Sequence, residues 1–215
     1  MATVEYIKQH KLICICRKLY GEELLKLAKA LYDGGIRLME VTFDQADPDG
    51  TQKTAAAISD LVAAFGDTMH FGAGTVLTCA EVDEAARAGA KYIISPNTNV
   101  AVIEHTKKSG LLSVPGAMTP TEVVTAHEAG ADFVKVFPAG FLGVSYFKDL
   151  SGPLNHINTI AAGGVTEENI THFLDVGVTG FGISGRLTEK RLIDTGNYAE
   201  LTKRARAFSD KIATY

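Results

Sequence analysis

The feature that most constrains the fold is a regular alternation of short apolar runs with longer segments of helical period. Eight runs have the length and β-branched or aromatic content of buried strands: KLICICR, RLMEVTF, HFGAGTV, YIISP, LLSVPGA, FVKVFP, INTIAAGGV and GFGISG. Between them, apolar residues recur three and four positions apart, as on amphipathic helices. Eight such units in 215 residues predict one (β/α)8 barrel domain over residues 1–215, with a doubly wound open sheet as the alternative.

Capping residues mark several predicted helix boundaries. Thr119-Pro120 and Thr166-Glu167 are typical of helix starts, and glycine ends the helical segments at Gly34, Gly35, Gly89, Gly110, Gly130 and Gly177. The segment GFLGVSYFKDLSGPLNH, after the sixth strand, predicts only a short helix. The last helix is predicted over residues 198–212.

Composition and charge exclude several classes of function. The chain has 21 Lys and Arg against 25 Asp and Glu, and this net charge of −4 does not provide the basic field of a nucleic-acid-binding surface. No apolar run approaches the ~18 residues of a membrane span, and the N-terminal segment lacks the apolar core of a signal peptide. The three cysteines and six histidines have no metal-ligand spacing. We therefore expect a cytoplasmic protein with no metal, and with neither nucleic acid nor membrane as partner.

The sixth strand carries a lysine inside an apolar stretch, DFVKVFPAG. A buried ammonium group is unfavourable, and burial shifts lysine toward the neutral amine, which is a nucleophile toward carbonyl carbon. Strand alternation places Phe133, Lys135 and Phe137 on the face opposite Val134 and Val136. Because the aliphatic face is expected to meet the outer helices, Lys135 and Phe137 are predicted to face the barrel interior near its mouth.

Other polar residues are predicted to reach the same end of the barrel. Glu40 and Thr42 share the inward face of the second strand, Arg17 ends the first strand, and Thr75 follows the glycines of the third. Barrel active sites lie at the C-terminal ends of the strands, so these residues are candidates for catalysis and substrate binding. Glu40 and Lys135 could instead form a buried ion pair, which contributes weakly to stability. Arg17 could form only a salt bridge, and the glycines could serve only tight turns.

Two glycine-containing turns follow the seventh and eighth strands. AAGGVTEENI holds Gly163 and Gly164, and GISGR holds Ser184 and Gly185. Backbone N–H groups in such turns bind phosphate, and the loops after strands seven and eight are the common phosphate site of this fold. A double glycine alone is equally compatible with plain turn chemistry. The occurrence of two glycine-containing turns in this pair of loops favours phosphate.

With these residues placed, the sequence resembles the class I 2-keto-3-deoxy-6-phosphogluconate (KDPG) and 4-hydroxy-2-oxoglutarate (KHG) aldolases. The resemblance covers nearly the whole chain through motifs in one order: GGIRLMEVTF, FGAGTVLT, YIISPN, VPGAMTPTE, FVKVFPA and AAGGVTEENI. It implies a homotrimeric barrel, without metal or other cofactor, that cleaves a 2-keto acid to pyruvate and an aldehyde. The substrate would be a 2-keto-3-deoxy-6-phospho sugar acid or 4-hydroxy-2-oxoglutarate.

The resemblance also implies residue roles. Lys135 would form the Schiff base and Glu40 would transfer protons. The residues implied at the substrate are Arg17 at the mouth, Thr75 and Pro96 in the pyruvyl pocket, and Gly163 and Gly164 at the phosphate.

The chain departs from the family pattern at three places. Many phosphogluconate-type members have an arginine after the strand-two glutamate where this chain has Asp44, a carboxylate that would repel a substrate carboxylate. The family's threonine before the double glycine is Ala162, and its glycine-serine near the last strand reads Ser184-Gly185. These departures leave the exact substrate open, and the segment DQADPDGTQ is a candidate to shape a different aldehyde pocket.

Two other functions compete with the aldolase. A phosphosugar isomerase or epimerase would use Glu40 as its base but would not need an inward lysine on the sixth strand. A sugar-phosphate binding protein would tolerate loss of Lys135 with little effect on ligand binding.

Overall fold

Strands and helices alternate along residues 4–215, the part of the chain that the computed structural model describes. The strands are β1 (Leu12–Cys16), β2 (Leu38–Thr42), β3 (His70–Gly74), β4 (Tyr92–Ile94), β5 (Leu112–Val114), β6 (Gly116–Ala117), β7 (Val134–Val136), β8 (Thr159–Ala162) and β9 (Gly180–Ile183). The helices are α1 (Val4–His10), α2 (Gly21–Asp33), α3 (Gly50–Phe65), α4 (Cys79–Arg87), α5 (Val100–Lys108), α6 (Pro120–Glu128), α7 (Ala139–Leu154), α8 (Ile170–Asp175), α9 (Lys190–Asp194) and α10 (Tyr198–Ala213).

The strands form one parallel sheet that closes on itself through a divided strand. Their order is β5-β4-β3-β2-β1-β9-β8-β7-β6, and only Pro115 separates β5 from β6 along the chain. β5 pairs with β4, whereas β6 pairs with β7. Proline has no N–H to donate to the ladder, so the strand divides there into two halves with different partners. The nine segments therefore make the eight strands of a (β/α)8 barrel, which confirms the predicted fold over the open sheet.

Two separate apolar clusters confirm the predicted strand faces. Val134 and Val136 pack in the cluster between the sheet and the outer helices, whereas Phe133 packs inside the barrel. The interior cluster also contains Ile7 from α1, which precedes β1 and so covers the N-terminal end of the barrel. We did not predict α1, because seven largely polar residues give too short a periodic pattern. None of the described helices is long and apolar enough to cross a membrane.

Helix boundaries follow the capping signals at some places and depart from them at two. Thr119 forms a capping box with Glu122, and Pro120 begins α6 as predicted. The segment after the sixth strand contains more helix than the short one predicted, since α7 consists of two helical parts, residues 139–142 and 144–154, on either side of a kink at Gly143. Gly143 interrupts its helical dihedral angles and Pro153 lies in its last turn, so both residues weakened the helical signal.

The eighth helix begins later than predicted. It starts at Ile170 rather than at Thr166-Glu167, because the Asn169 side chain holds the preceding turn. Asn169 Oδ1 accepts a hydrogen bond from the Thr166 N–H at 2.8 Å, and Asn169 Nδ2 donates to the Gly164 carbonyl at 2.9 Å. The segment after β8 is therefore an ordered loop at the mouth of the barrel.

Candidate active site

A cavity of about 560 Å³ lies at the C-terminal ends of the strands. All but one of the predicted site residues line this cavity. The residues that do so are Arg17, Glu40, Thr75, Pro96, Lys135, Phe137, Gly163, Gly164, Ser184 and Gly185. The exception is Thr42, which is buried at the end of β2 and does not line the cavity. Its carbonyl accepts a hydrogen bond from Thr54 Oγ1 of α3, so this end of β2 is tied to the outer helix layer.

Lys135 and Glu40 face the cavity from β7 and β2, and burial is the largest cause of the pKa shift of each group. Burial raises the pKa of Glu40 to about 7, although the positive charges of Lys135 and Arg17 oppose this shift. Burial also lowers the pKa of Lys135; Glu40 opposes that shift, and Arg17 reinforces it. Both groups are therefore moved toward their neutral forms, which suits a nucleophilic amine beside a carboxyl group that exchanges protons near neutral pH.

The buried ion pair considered from the sequence is not formed. Glu40 and Lys135 influence each other by charge without a direct hydrogen bond, and within residues 4–215 Glu40 Oε2 has no hydrogen-bond partner. A buried carboxylate oxygen without a partner is unfavourable. The arrangement leaves that oxygen available to a substrate hydroxyl or a water molecule.

Gly74 provides the space that the Glu40 carboxyl group occupies. A Cβ atom at Gly74 would lie 2.6 Å from Glu40 Cδ and 2.7 Å from Oε1, closer than non-bonded atoms approach. The sequence pattern placed this glycine at the mouth of the barrel, with a plain turn role as the alternative. These distances show that Gly74, at the end of β3 opposite Thr42, accommodates the buried carboxyl group.

Thr75 adopts a strained backbone conformation at the cavity wall. Its φ is +57°, in the left-handed region that a β-branched residue rarely enters. Gln45 Nε2 donates a hydrogen bond to the Thr75 carbonyl at 3.0 Å and another to Glu81 Oε1 at 2.6 Å. Glu81 is itself buried, and its Oε2 accepts from the Leu77 and Thr78 N–H groups. The network fixes Thr75 from the loop before α3, in the segment singled out in the sequence.

We expect Gln45→Leu to raise the KM for the 2-keto acid that the resemblance implies about 5- to 10-fold while leaving kcat within about 2-fold. The reason is the loss of one hydrogen bond, worth on the order of 1 kcal/mol, that holds Thr75 in its strained conformation. Steady-state kinetics measures both constants, and exposed Gln52→Leu on α3 is the matched control. Equal kinetics for the two variants would show that the network does not position Thr75.

The loops after β8 and β9 present backbone N–H groups to the cavity. Gly163 and Gly164 have φ of +81° and +82°, which glycine adopts without strain. A Cβ atom at Gly164 would lie 2.7 Å from Gly140 Cα, so close backbone packing also requires glycine. In the described part of the chain, the N–H groups of Gly164, Val165, Ser184 and Gly185 donate to no protein acceptor. Such groups form an anion-binding surface.

Two of the family departures have a local explanation at the mouth. Asp44 pairs with Lys18 Nζ at 2.8 Å and does not line the cavity; the hydrogen bond from Lys18 lowers the pKa of Asp44. Its negative charge is thus compensated outside the site, while Arg17 lines the cavity itself. Ala162 also lines the cavity, where its methyl group faces Gly182 of the neighbouring strand.

Comparison with known proteins gives consistent matches. Residues 4–204 match the family model described as KDPG and KHG aldolase. The chain is 37% identical over 177 residues to the 2-dehydro-3-deoxy-6-phosphogalactonate aldolase of Escherichia coli K12, covering 82% of this chain and 83% of that protein.

Two solved structures share the fold with a TM-score of 0.84. One, described as native KDPGal, is 33% identical and covers 94% of both chains. The other is KDPG aldolase from Legionella pneumophila with pyruvate captured at low pH as a covalent carbinolamine intermediate. It is 26% identical and covers 96% of this chain and 98% of that chain.

Proposed function

Because the chain belongs to the KDPG and KHG aldolase family, we propose that it cleaves a 2-keto-3-deoxy-6-phospho sugar acid through a Schiff base on Lys135. The products would be pyruvate and glyceraldehyde 3-phosphate. The galactonate-type substrate is the first to test, since the relative from Escherichia coli named for it is 37% identical. 4-Hydroxy-2-oxoglutarate, which would give glyoxylate, is the alternative substrate within the family.

The observation that carries the proposal is the position of Lys135. The amine faces a cavity of substrate size from an otherwise apolar strand, and its pKa is lowered by burial. A neutral amine attacks a ketone carbon, whereas an ammonium ion cannot. No observation on the described residues favours the isomerase or the binding-protein hypothesis over this one.

The proposed reaction begins with attack of Lys135 Nζ on the C2 carbonyl carbon. The resulting carbinolamine loses water to give an iminium ion, which withdraws electrons from the C3–C4 bond. The C4 hydroxyl group then gives its proton to Glu40, directly or through one water molecule, and the C3–C4 bond breaks to release the aldehyde. The enamine that remains takes up a proton at C3, and water hydrolyses the iminium ion to free pyruvate and Lys135.

Glu40 is suited to both proton transfers because its pKa is raised to about 7. At neutral pH it is present in both protonation states, so it accepts the C4 hydroxyl proton and returns a proton to C3. Gly74 leaves the space for this carboxyl group, and one of its oxygens is unpartnered among residues 4–215.

The remaining cavity residues form two groups, one for each end of the substrate. We assign Arg17, Thr75, Pro96 and Phe137 to the pyruvyl and carboxylate end, and Gly163, Gly164, Ser184 and Gly185 to the phosphate. The unpaired N–H groups of the two loops support the second assignment. Thr42 has no place in the proposal, because it lies outside the cavity.

For the assembly, the resemblance supports a cytoplasmic homotrimer of single-domain chains that binds only small-molecule substrates. Sedimentation at assay concentration tests the trimer, and a monomer with full activity would contradict it.

The function is tested by incubating the protein with the two C4 epimers of the phosphorylated substrate and with 4-hydroxy-2-oxoglutarate. Pyruvate release is followed for each, and borohydride is added with pyruvate in a parallel sample. We expect cleavage of at least one phosphorylated epimer and a reduced pyruvyl adduct on the peptide that contains Lys135. A folded protein that gives neither pyruvate nor adduct would contradict the proposal.

A further inference from the structure

An ion pair joins the two loops at the rim of the cavity. Arg186 follows Gly185 and lines the cavity, and Glu167 lies three residues after Gly164. Arg186 Nε and Nη2 donate to the two carboxylate oxygens of Glu167 at 3.1 and 2.9 Å. This bidentate geometry fixes the plane of the guanidinium group. The pair therefore holds a cation in a defined position between the loop after β8 and the loop after β9.

The pair leaves part of the arginine available. The Glu167 side chain is 12% exposed, whereas the Arg186 side chain is 48% exposed. A guanidinium group has five N–H donors, and the two contacts with Glu167 use one at each of Nε and Nη2. Within residues 4–215, Arg186 Nη1 donates to no protein acceptor. Because half of the Arg186 side chain is exposed, the solvent screens the pair and its contribution to stability is small.

Arg186 is the charged side chain at the loop end of the cavity. Among the described residues, the charged cavity residues are Arg17, Glu40, Lys135 and Arg186. Arg17 follows the end of β1, Glu40 lies in β2 and Lys135 lies in β7, so these three surround the Lys135 amine. Arg186 is the charged lining residue contributed by the loops after β8 and β9, where the neighbouring groups are backbone N–H donors. Glu167 offsets the charge of Arg186, so that end of the cavity would bind an anion through the N–H groups of the two loops and of Arg186 Nη1 that are unpaired within residues 4–215.

We propose that Arg186 is a specificity-determining residue that recognises the distal phosphate of the substrate, and that Glu167 is its positioning residue. The inference rests on the proposed function and adds to it a side chain that selects a phosphate monoester over the unphosphorylated sugar acid. A guanidinium group matches phosphate oxygens in geometry and charge better than an ammonium group does. The backbone N–H groups of the two loops bind the remaining phosphate oxygens.

The test compares kcat/KM for phosphorylated and unphosphorylated 2-keto-3-deoxygalactonate in the wild type, Arg186→Leu, Arg186→Lys and Glu167→Gln. We expect Arg186→Leu to lose about 10- to 100-fold on the phosphorylated substrate, as for loss of a hydrogen bond between charged groups, and less than about 3-fold on the unphosphorylated one. Arg186→Lys recovers part of the loss. Glu167→Gln raises the KM for the phosphorylated substrate and leaves kcat unchanged.

Arg191→Leu is the matched control. Arg191 also pairs with a glutamate, but it is 80% exposed and does not line the cavity. Its substitution is therefore expected to leave kcat/KM unchanged for both substrates. An equal loss on both substrates in Arg186→Leu would show that the pair only supports the loops. Unchanged kinetics for the phosphorylated substrate would show that Arg186 does not contact it.

Binding of inorganic phosphate, measured by titration calorimetry, separates this inference from the proposed function. A wild type that cleaves no substrate and traps no pyruvate contradicts the aldolase proposal itself. In that case phosphate binding still decides on Arg186: we expect the Kd for phosphate to rise at least about 10-fold in Arg186→Leu. The same Kd in both proteins would overturn the inference.

Discussion

Replacing Lys135 with methionine lowers kcat by on the order of 10⁵-fold, because the variant has no amine to form the Schiff base. Methionine retains an unbranched chain in the apolar strand and removes a charge that burial disfavours, so the fold is expected to persist. Pyruvate release measures the loss of turnover, and intact-mass analysis after borohydride treatment measures the loss of the pyruvyl adduct.

Lys190→Met is the matched control for this result. Lys190 is 86% exposed on α9, where it pairs with Asp194, and it lies outside the cavity. The control retains full turnover and forms the adduct. Substantial retro-aldol activity in Lys135→Met, with the wild-type circular dichroism spectrum, would eliminate the Schiff-base mechanism.

Replacing Glu40 with glutamine lowers kcat about 10²- to 10⁴-fold, the usual range for a general acid–base. Glutamine fills the space beside Gly74 but neither accepts nor returns the C4 hydroxyl proton. Imine formation on Lys135 persists, so borohydride still traps pyruvate in this variant. Exposed Glu22→Gln on α2 is the matched control and retains the wild-type rate.

The pH profile gives the second signature of Glu40. As the proposed base in bond cleavage, Glu40 would act in its ionised form, so we expect the wild-type kcat to rise with pH through about 7 and then level. This ascending limb disappears in Glu40→Gln. A variant that keeps both the wild-type rate and the limb would show that Glu40 does not transfer the proton.

The titration of Glu40 also makes the free energy of unfolding depend on pH. The folded-state pKa of Glu40, about 7, exceeds its ordinary value of 4.5, so the folded state binds more protons between these two pH values. Glu40 therefore lowers the free energy of unfolding as pH rises through this window, by roughly 3 kcal/mol in total. Urea unfolding at pH 5 and pH 8 measures the difference, and the Glu40→Gln variant lacks this contribution.

Much of the fold could be predicted because short apolar runs typical of strands alternate with segments of helical period. In the strand that contains Lys135, one face is aliphatic and the other is mixed. This difference correctly predicted which residues face the barrel interior and which face the outer helices. The divided strand was not predicted, because LLSVPGA reads as one continuous run. Pro115 alone does not reveal that its two sides pair with different neighbours.

The candidate site was predictable where residues lie on strands and less so where they lie on loops. Lys135, Glu40 and Arg17 reach the cavity because strand alternation fixes their direction. Gln45 was missed, since its contact with Thr75 spans 30 positions and depends on a loop conformation. Arg186 was visible in GISGR, but only the contact with Glu167 indicates how it is held.

The division of the fifth barrel strand has a consequence for how the pocket adapts. β6 meets β7 at only two register positions, Gly116 with Lys135 and Ala117 with Val136, whereas β2 and β3 share five. The β6–β7 and β3–β4 pairs, with two register positions each, are the shortest in the sheet, and the β6–β7 pair lies beside the nucleophile, where few backbone hydrogen bonds resist local opening. Substitutions along this short pair can therefore reshape the pocket beside Lys135 without disturbing the five-position pairing of the strand that carries Glu40.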